Sequence, residues 1–317
     1  MRTRASLALA VLLAGLASAP ARAQRAVAVR ADNDAFNFWQ APWSRPDEEY
    51  TSGVRLTVDY DGVAAWARRL QRAPSDCGGA GPCASHEYAV GQDIYTAARA
   101  WNSGVPFANG RPDAGLLWLS ATSRVARTNA LTEIGWTVGT TGKPSLAEPM
   151  QHFFHSLAPS YNRPITWGRQ IPAEPVFAVS LDERRFAGSE SLELQPHAGA
   201  TVGTLLTEAR AGLGMRLGTR RSRPWMMAPE SGPWELALVG DATMRAVARN
   251  EVLDGAFFRR GVSVASRPFV PEVQAGVRAR WRFLEIAWLA HQTGAEYELR
   301  RTSHAWSTLE AIWRPHR

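Results

Sequence analysis

The sequence has few cysteines and, after its first residues, no long run of apolar amino acids. A membrane-spanning helix needs about 20 predominantly apolar residues, so this absence excludes a helical membrane protein. No Gly-X-Y period occurs, which excludes a collagen-like chain, and a 45% share of hydrophobic residues excludes a disordered one. The chain instead combines a mildly polar mean hydropathy of -0.24 with 13 tryptophans in 317 residues.

The one apolar run lies at the N-terminus and predicts an export signal. Arg2 and Arg4 precede an apolar stretch at residues 7–16, and an Ala-Arg-Ala cleavage motif ends at Ala23. We therefore expect residues 1–23 to be a signal peptide and residues 24–317 to form one exported domain. Three arginines leave with the signal, so the formal net charge falls from +7 to +4. The remainder has no dense Lys/Arg block, so no nucleic-acid partner is expected.

The two cysteines, Cys77 and Cys83, lie in a glycine-rich segment. Export to an oxidising compartment favours a local disulfide between them. A zinc site would need further Cys or His ligands, and only His86 is near in sequence. We expect a disulfide that closes a loop and takes no part in chemistry.

Alternation of apolar and polar residues with period two dominates the rest of the chain. About twelve stretches show it, at residues 25–32, 54–60, 87–95, 114–127, 130–137, 176–185, 191–199, 208–217, 234–245, 272–282, 284–293 and 303–313. Lengths near ten residues exceed the five or six common in soluble sheets and match tilted strands that cross a bilayer. The pattern predicts an all-β fold, an antiparallel transmembrane β-barrel of about 12 strands.

Tryptophans near the ends of these stretches favour the barrel, because aromatic girdles mark both membrane interfaces. A secreted β-domain with tryptophans in its core remains the alternative. The residues concerned are Trp118, Trp136, Trp234, Trp281, Trp288, Trp306 and Trp313.

The segment 145–157 breaks the alternation and predicts a short amphipathic helix carried in a loop. An apolar stripe recurs at helical spacing, and Gln151 and His155 fall on a separate polar stripe. Two uses of the apolar stripe stay open: it docks the helix on the barrel, or it lines a groove for acyl chains. His155 by itself is equally consistent with a surface histidine. The apolar stripe consists of Leu146, Met150, Phe153, Phe154 and Leu157.

Six short segments, in order along most of the chain, resemble signatures of the outer-membrane lipid A 3'-O-deacylase family. Each is weak alone, and together they form a specific composite. They are residues 32–36 (DNDAF), 47–55 (DEEYTSGVR), 91–96 (GQDIYT), 111–115 (RPDAG), 151–155 (QHFFH) and 167–175 (WGRQIPAEP).

This resemblance implies a bacterial outer-membrane enzyme that hydrolyses the 3'-linked acyl or acyloxyacyl ester of lipid A in lipopolysaccharide. It implies Ca²⁺ as cofactor and His155 as the general base that activates water. The positions that match the family's active site are Asn33, Asp34, Thr51, Gln151 and His155, and the expected metal ligands are Asp34, Asn33 and Glu174. The oligomeric state does not follow from the resemblance.

The residues agree with a water route, because no Gly-x-Ser-x-Gly nucleophile motif occurs. If β-alternation continued through Asn33 and Asp34, their side chains would point to opposite faces, so both can serve only if the strand end bends. An Asx turn is the structural alternative for this pair. Ala173 stands where family members often carry Asn, which weakens the expectation for Glu174. Two other functions stay open: hydrolysis of a phospholipid or another surface ester, and a pore or structural barrel without catalysis.

Overall fold

The computed structural model describes residues 24–38, 49–77, 83–98, 110–157, 166–189, 191–219 and 233–314. The expected signal peptide, residues 1–23, lies outside the described residues. Cys77 and Cys83 form the expected disulfide.

Long antiparallel strands, connected in chain order, make up most of the described chain. A two-residue strand, Ala187–Gly188, extends β6 past Phe186. The twelve long strands are β1 (Gln24–Asn33), β2 (Glu49–Asp61), β3 (Ala84–Thr96), β4 (Ala114–Arg127), β5 (Ala130–Thr141), β6 (Pro175–Arg185), β7 (Leu192–Gly203), β8 (Leu206–Gly218), β9 (Trp234–Asn250), β10 (Phe269–Trp281), β11 (Leu284–Thr293) and β12 (His304–Trp313).

Two helices and several 3-10 turns lie in the connections. Helix α1 spans Ala147–Leu157 and helix α2 spans Glu251–Asp254, and 3-10 turns occupy Asp34–Phe36, Ala65–Ala67 and Lys143–Ser145. None of the helices in the described ranges is both long and apolar enough to cross a membrane.

The sheet closes on itself, because β1 pairs with β12 and β6 pairs with β7. Each other strand pairs with its neighbours in the chain. Closure leaves no unpaired long edge. The predicted closed antiparallel barrel of twelve strands is therefore confirmed, and its last strand closes at Trp313 opposite Val27.

The two faces of the wall differ in the way expected of a barrel with lipid outside. On β6, Phe177, Val179 and Leu181 point outward and are 51%, 56% and 54% exposed. Directly after Leu181, Asp182 points inward, where it pairs with Arg210 of β8. A soluble sandwich would bury the apolar positions, so this arrangement excludes it.

Loops close one end of the barrel. We call the end that holds Asn33 and α1 the site end, and the end that holds Trp313 the far end. At the site end, α2 and the loops around it form a core over the strand ends. This core comprises Ala114, Ile171, Val252, Leu253, Val264 and Tyr297.

The prediction that tryptophans near strand ends point outward is confirmed for three of them at the far end. It is wrong for two others, which point into the lumen. Trp234, Trp281 and Trp313 point outward at the far end and are 60%, 69% and 46% exposed. Trp118 instead points inward, and its Nε1 donates to Asp93 at 2.7 Å. Trp306 also points inward, stacked against two histidines of the lumen. Period-two alternation predicts that a strand has two faces, but it does not predict on which face a tryptophan lies.

Candidate active site

The end of β1 bends where the sequence places its acidic pair. The strand stops at Asn33, whose side-chain Oδ1 accepts a hydrogen bond from the Ala35 amide at 2.7 Å. The 3-10 turn that follows buries Asp34 to 6% exposure. The bend that both residues need in order to serve one site is therefore present. It takes the form of the Asx turn that was its structural alternative.

Asn37 anchors this turn to β12. Its Nδ2 donates to the Ala305 carbonyl, and its Oδ1 accepts from the Ser307 hydroxyl, both at 2.9 Å. Sequence reasoning missed Asn37, because an asparagine just after a strand is an ordinary loop residue. Its burial shows that it positions the Asn33–Asp34 turn.

Thr51 lies at an irregularity in β2, where the register shifts between Tyr50 and Ser52. Its hydroxyl lies 2.6 Å from the hydroxyl of Thr96 at the end of β3, and both side chains are buried. Thr96 was not predicted, although its position as the last residue of a neighbouring strand was a usable signal. Because Ser52 pairs directly with Asn33, Thr51 lies beside the β1 turn.

Helix α1 packs on the outer face of β3 and β4. Ala147 packs with Ile94 of β3 and with Trp167. Ile94 points outward, because its neighbour Asp93 points into the lumen toward Trp118. On β4, a Cβ at Gly115 would lie 2.3 Å from the Ala147 Cβ, so only glycine admits the helix this closely.

The buried face of α1 carries Gln151. Its side chain is 3% exposed, and its Oε1 accepts a hydrogen bond from Trp167 Nε1 at 2.9 Å. His155 follows one turn later on the same face and is partly exposed. The sequence signal for Trp167 was its place in a family-like segment, but no role was predicted for it. The indole holds the Gln151 amide in one orientation.

The apolar stripe of α1 faces away from the barrel. Leu146, Met150, Phe153 and Phe154 are 46%, 37%, 54% and 43% exposed. The docking alternative is therefore wrong for these four residues. The narrow contact at Gly115 accepts the small Ala147 instead, and the large side chains stay outside.

Arg111 lies in the interior of the site end. It is fully buried, lies over the Tyr95 ring at 4.6 Å and pairs with Glu49 at 3.3 Å. Glu49 also pairs with Arg300 at 2.5 Å and accepts from the Tyr297 hydroxyl at 3.0 Å. We call Glu49, Arg111, Tyr297 and Arg300 the site-end clasp. It joins the start of β2 to two loops.

Glu174 lies at the start of β6, under the loop that follows α2. Its carboxylate accepts from the amides of Phe257 and Phe258, the latter at 3.0 Å. Burial raises the pKa of the neighbouring Glu251 to about 8, and the hydrogen bond and charge of Glu174 add to that rise. The two amides account for the buried position of Glu174. Its role as a metal ligand stays a prediction.

In the part of the chain that the structure describes, no group of three or more His, Cys, Asp or Glu side chains could hold a metal ion. The Asn33–Asp34 turn offers a different donor set, with one amide, one buried carboxylate and the carbonyls of a tight turn. Calcium prefers such oxygen ligands and completes its shell with water. The residues fit a calcium ion, and the cofactor stays a prediction.

Four of the five predicted catalytic residues are thus buried or held by named neighbours at one end of the barrel, around β1 to β4. The fifth, His155, lies on the same face of the helix as Gln151 and is partly exposed. Helix α1 itself lies on the outer face of the wall. A reacting molecule would therefore reach it from the lipid side.

The chain matches the family model described as outer membrane protein LpxR over residues 5–315. Among solved structures it is similar to LpxR from Salmonella typhimurium, with 14% identity and a TM-score of 0.72 over 92% of this chain and 100% of that one. The β domain of the Bordetella autotransporter BrkA has 13% identity and a TM-score of 0.45, over 92% and 100%. No curated protein matches the chain. Because the family model covers nearly its whole length, the chain belongs to the LpxR family of outer membrane proteins.

Proposed function

We propose that the protein is an esterase of the bacterial outer membrane that removes the 3'-linked acyl or acyloxyacyl group of lipid A. The observation that carries this proposal is the position of α1. The helix packs on the outer face of β3 and β4, buries Gln151 against Trp167 and turns its apolar stripe away from the wall. A lipid could place its acyl chains along that stripe while its ester bond reaches the helix.

The chemistry of the proposed reaction is hydrolysis by water. His155 takes a proton from the attacking water as the general base. The water oxygen adds to the ester carbonyl, and the intermediate then expels the sugar alkoxide, which recovers the proton from His155. Gln151, fixed by Trp167, and Thr51, paired with Thr96, orient the water and the ester by hydrogen bonds.

The Asn33–Asp34 turn would hold calcium beside this site. When bound, the ion would supply positive charge for the oxyanion that develops on the ester carbonyl. We expect chelation to abolish hydrolysis and added Ca²⁺ to restore it. Full activity after exhaustive chelation would overturn this part and leave the esterase proposal standing.

Mass spectrometry of lipid A from cells that express the protein tests the reaction itself. The wild-type protein should remove the 3'-linked group, and His155→Ala should leave lipid A intact. His152→Ala is the matched control, because His152 is an exposed histidine of the same helix. Unchanged lipid A with the wild-type protein, or an active His155→Ala variant, would contradict the proposal.

The exposed stripe would accept acyl chains of other lipids as well, so a phospholipase is the second candidate. Incubation of the purified protein with defined glycerophospholipids separates the two substrates. Release of fatty acid from them, with lipid A unchanged, would favour the phospholipase.

A further inference from the structure

A segment at the far end, opposite the proposed site, wraps the outside of the barrel. It spans residues 62–77, between β2 and the disulfide. The Ala64 amide donates to Ser123 Oγ at 3.4 Å, and Gln71 Nε2 donates to the Thr132 carbonyl at 3.3 Å. The Trp66 ring lies edge-on to Trp136 of β5 at 6.4 Å. We call this stretch the far-end segment.

The contacts of the far-end segment lie on the outer face. Arg124 and Glu133 are direct partners across β4 and β5, and they form an ion pair inside the lumen with Asp59 and Glu87. Successive side chains of a strand point to opposite faces, so Ser123 and Thr132 point outward. The segment therefore covers surface that would otherwise face lipid.

The position of the far-end segment relative to the membrane follows from strand β6, which pairs with β5. Going toward the far end, the outward face of β6 changes from apolar Val179 and Leu181 to charged Glu183 and Arg185. Thr132, whose carbonyl accepts from Gln71, is the direct partner of Glu183. Trp136, against which Trp66 packs, is the direct partner of Val179. The segment therefore runs from the apolar band at Trp66 to the start of the charged surface at Gln71, where lipid head groups begin.

The far-end segment carries a basic surface at that height. Arg68, Arg69 and Arg72 are all exposed, and Leu70 between them is 69% exposed. Among the described residues, these three arginines form no salt bridge within 4.0 Å. Asp76 is the one acidic residue of the segment, which leaves a formal charge of +2. The nearby Glu183 already pairs with Arg185 at 2.8 Å.

We propose that the far-end segment binds the head groups of anionic phospholipids in the leaflet at that end. Arg68, Arg69 and Arg72 would contact the phosphates, and Trp66, held against Trp136, would anchor the segment at the interface. Guanidinium groups bind phosphate with paired hydrogen bonds, and tryptophan favours the boundary between hydrocarbon and water. The segment lies at the other end of the barrel from α1, so this inference does not rest on the proposed enzyme activity.

Native mass spectrometry of the full-length protein in detergent tests the proposal, with phosphatidylglycerol and phosphatidylcholine as probes. Wild type should bind phosphatidylglycerol more tightly than phosphatidylcholine, and R68Q/R69Q/R72Q should bind phosphatidylglycerol about a hundredfold more weakly than wild type, since three basic residues at roughly 1 kcal/mol each amount to about two powers of ten. Affinity for phosphatidylcholine should stay unchanged. Added salt should weaken phosphatidylglycerol binding to wild type more than to the variant.

R259Q/R260Q/R301Q is the matched control, because it removes three exposed arginines from the site end. It should retain the preference for phosphatidylglycerol. Equal wild-type affinity for the two lipids, unchanged affinity in the R68Q/R69Q/R72Q variant, or an equal loss in the control would overturn the proposal. The salt dependence of phosphatidylglycerol binding to wild type tests the proposal even if the triple variant folds poorly. Affinity that does not change with salt would overturn the proposed contact with charged head groups.

Discussion

Two parts of the barrel wall, β1–β5 and β6–β10, are built from the same alternating pattern but differ in what covers their outer face. We call β6–β10 the bare wall. On the wall β6–β10 outward apolar residues stay bare, as Val179 does at 56% exposure. On the wall β1–β5 site-end elements cover some of these positions, and Ile94 is 1% exposed under α1. The alternation makes a lipid-facing surface everywhere, and local loops turn one part of it into a site.

The charges of the two walls differ in the same way. The Glu49 and Arg111 side chains of the site-end clasp are 1% and 0% exposed. The Asp182 and Arg210 pair in the lumen is 26% and 24% exposed, so water reaches it. The buried Glu49–Arg111 pair therefore ties the loops to the wall β1–β5, and the more exposed Asp182–Arg210 pair lies in the lumen on the wall β6–β10.

The largest expected effect comes from breaking the site-end clasp. Glu49→Gln leaves the buried Arg111 and Arg300 without their shared carboxylate, which should cost about 3–5 kcal/mol of unfolding free energy. Asp182→Asn in the lumen should cost about 1 kcal/mol or less, because Arg210 keeps Glu208 and water. Urea unfolding of both variants in detergent measures the difference. Similar costs would show that the two walls do not differ in this respect.

A smaller effect should follow from a methyl group at the contact beneath α1. In Gly115→Ala the new Cβ would lie 2.2 Å from Ser145 Oγ, so α1 must shift at a cost of about 1–3 kcal/mol. Gly240→Ala on the bare wall meets nothing closer than Gln274 O at 3.7 Å and should be neutral. Deacylation assays on the folded proteins should show a loss of at least about tenfold for Gly115→Ala alone, in line with the sensitivity of catalysis to misplacement. Equal activities of the two variants would mean that the contact between α1 and Gly115 does not affect deacylation.

The smallest effect concerns the apolar stripe. The double variant Phe153→Ser and Phe154→Ser should raise KM for membrane-embedded lipid A severalfold, because acyl chains lose contact with the helix, while kcat changes little. Phe177→Ser on the bare wall removes a comparably exposed phenylalanine and should leave KM unchanged. A fall in kcat without a change in KM would argue that the stripe supports the helix instead of the substrate.

The strands could be predicted from the sequence, because the inward and outward residues of a barrel strand face different solvents. The expected stretch at residues 284–293 coincides with β11, and most other strands differ from their predicted bounds by a few residues at their ends. The direction of single tryptophans was not predictable. Trp118 turns inward because Gly91 leaves room beside it: a Cβ there would lie 2.4 Å from the indole.

The candidate site was predictable as a set of residues and not as an arrangement. Helical spacing indicated α1, but the same spacing is compatible with either face turned toward the wall. The burial of Arg111 was not predictable, since its partner Glu49 lies 62 positions away in sequence. Thr96 and Trp167 acquire their roles through contacts with Thr51 and Gln151 that sequence separation hides.

The sequence by itself determined long strands with two unlike faces, because period-two alternation acts locally on every strand, and it determined that a short helix interrupts them. Only the tertiary structure decided which face of that helix meets the wall. The reason is steric: a glycine on β4 and an alanine on α1 permit one close approach. That approach buries Gln151, leaves His155 partly exposed and turns the apolar stripe toward the lipid.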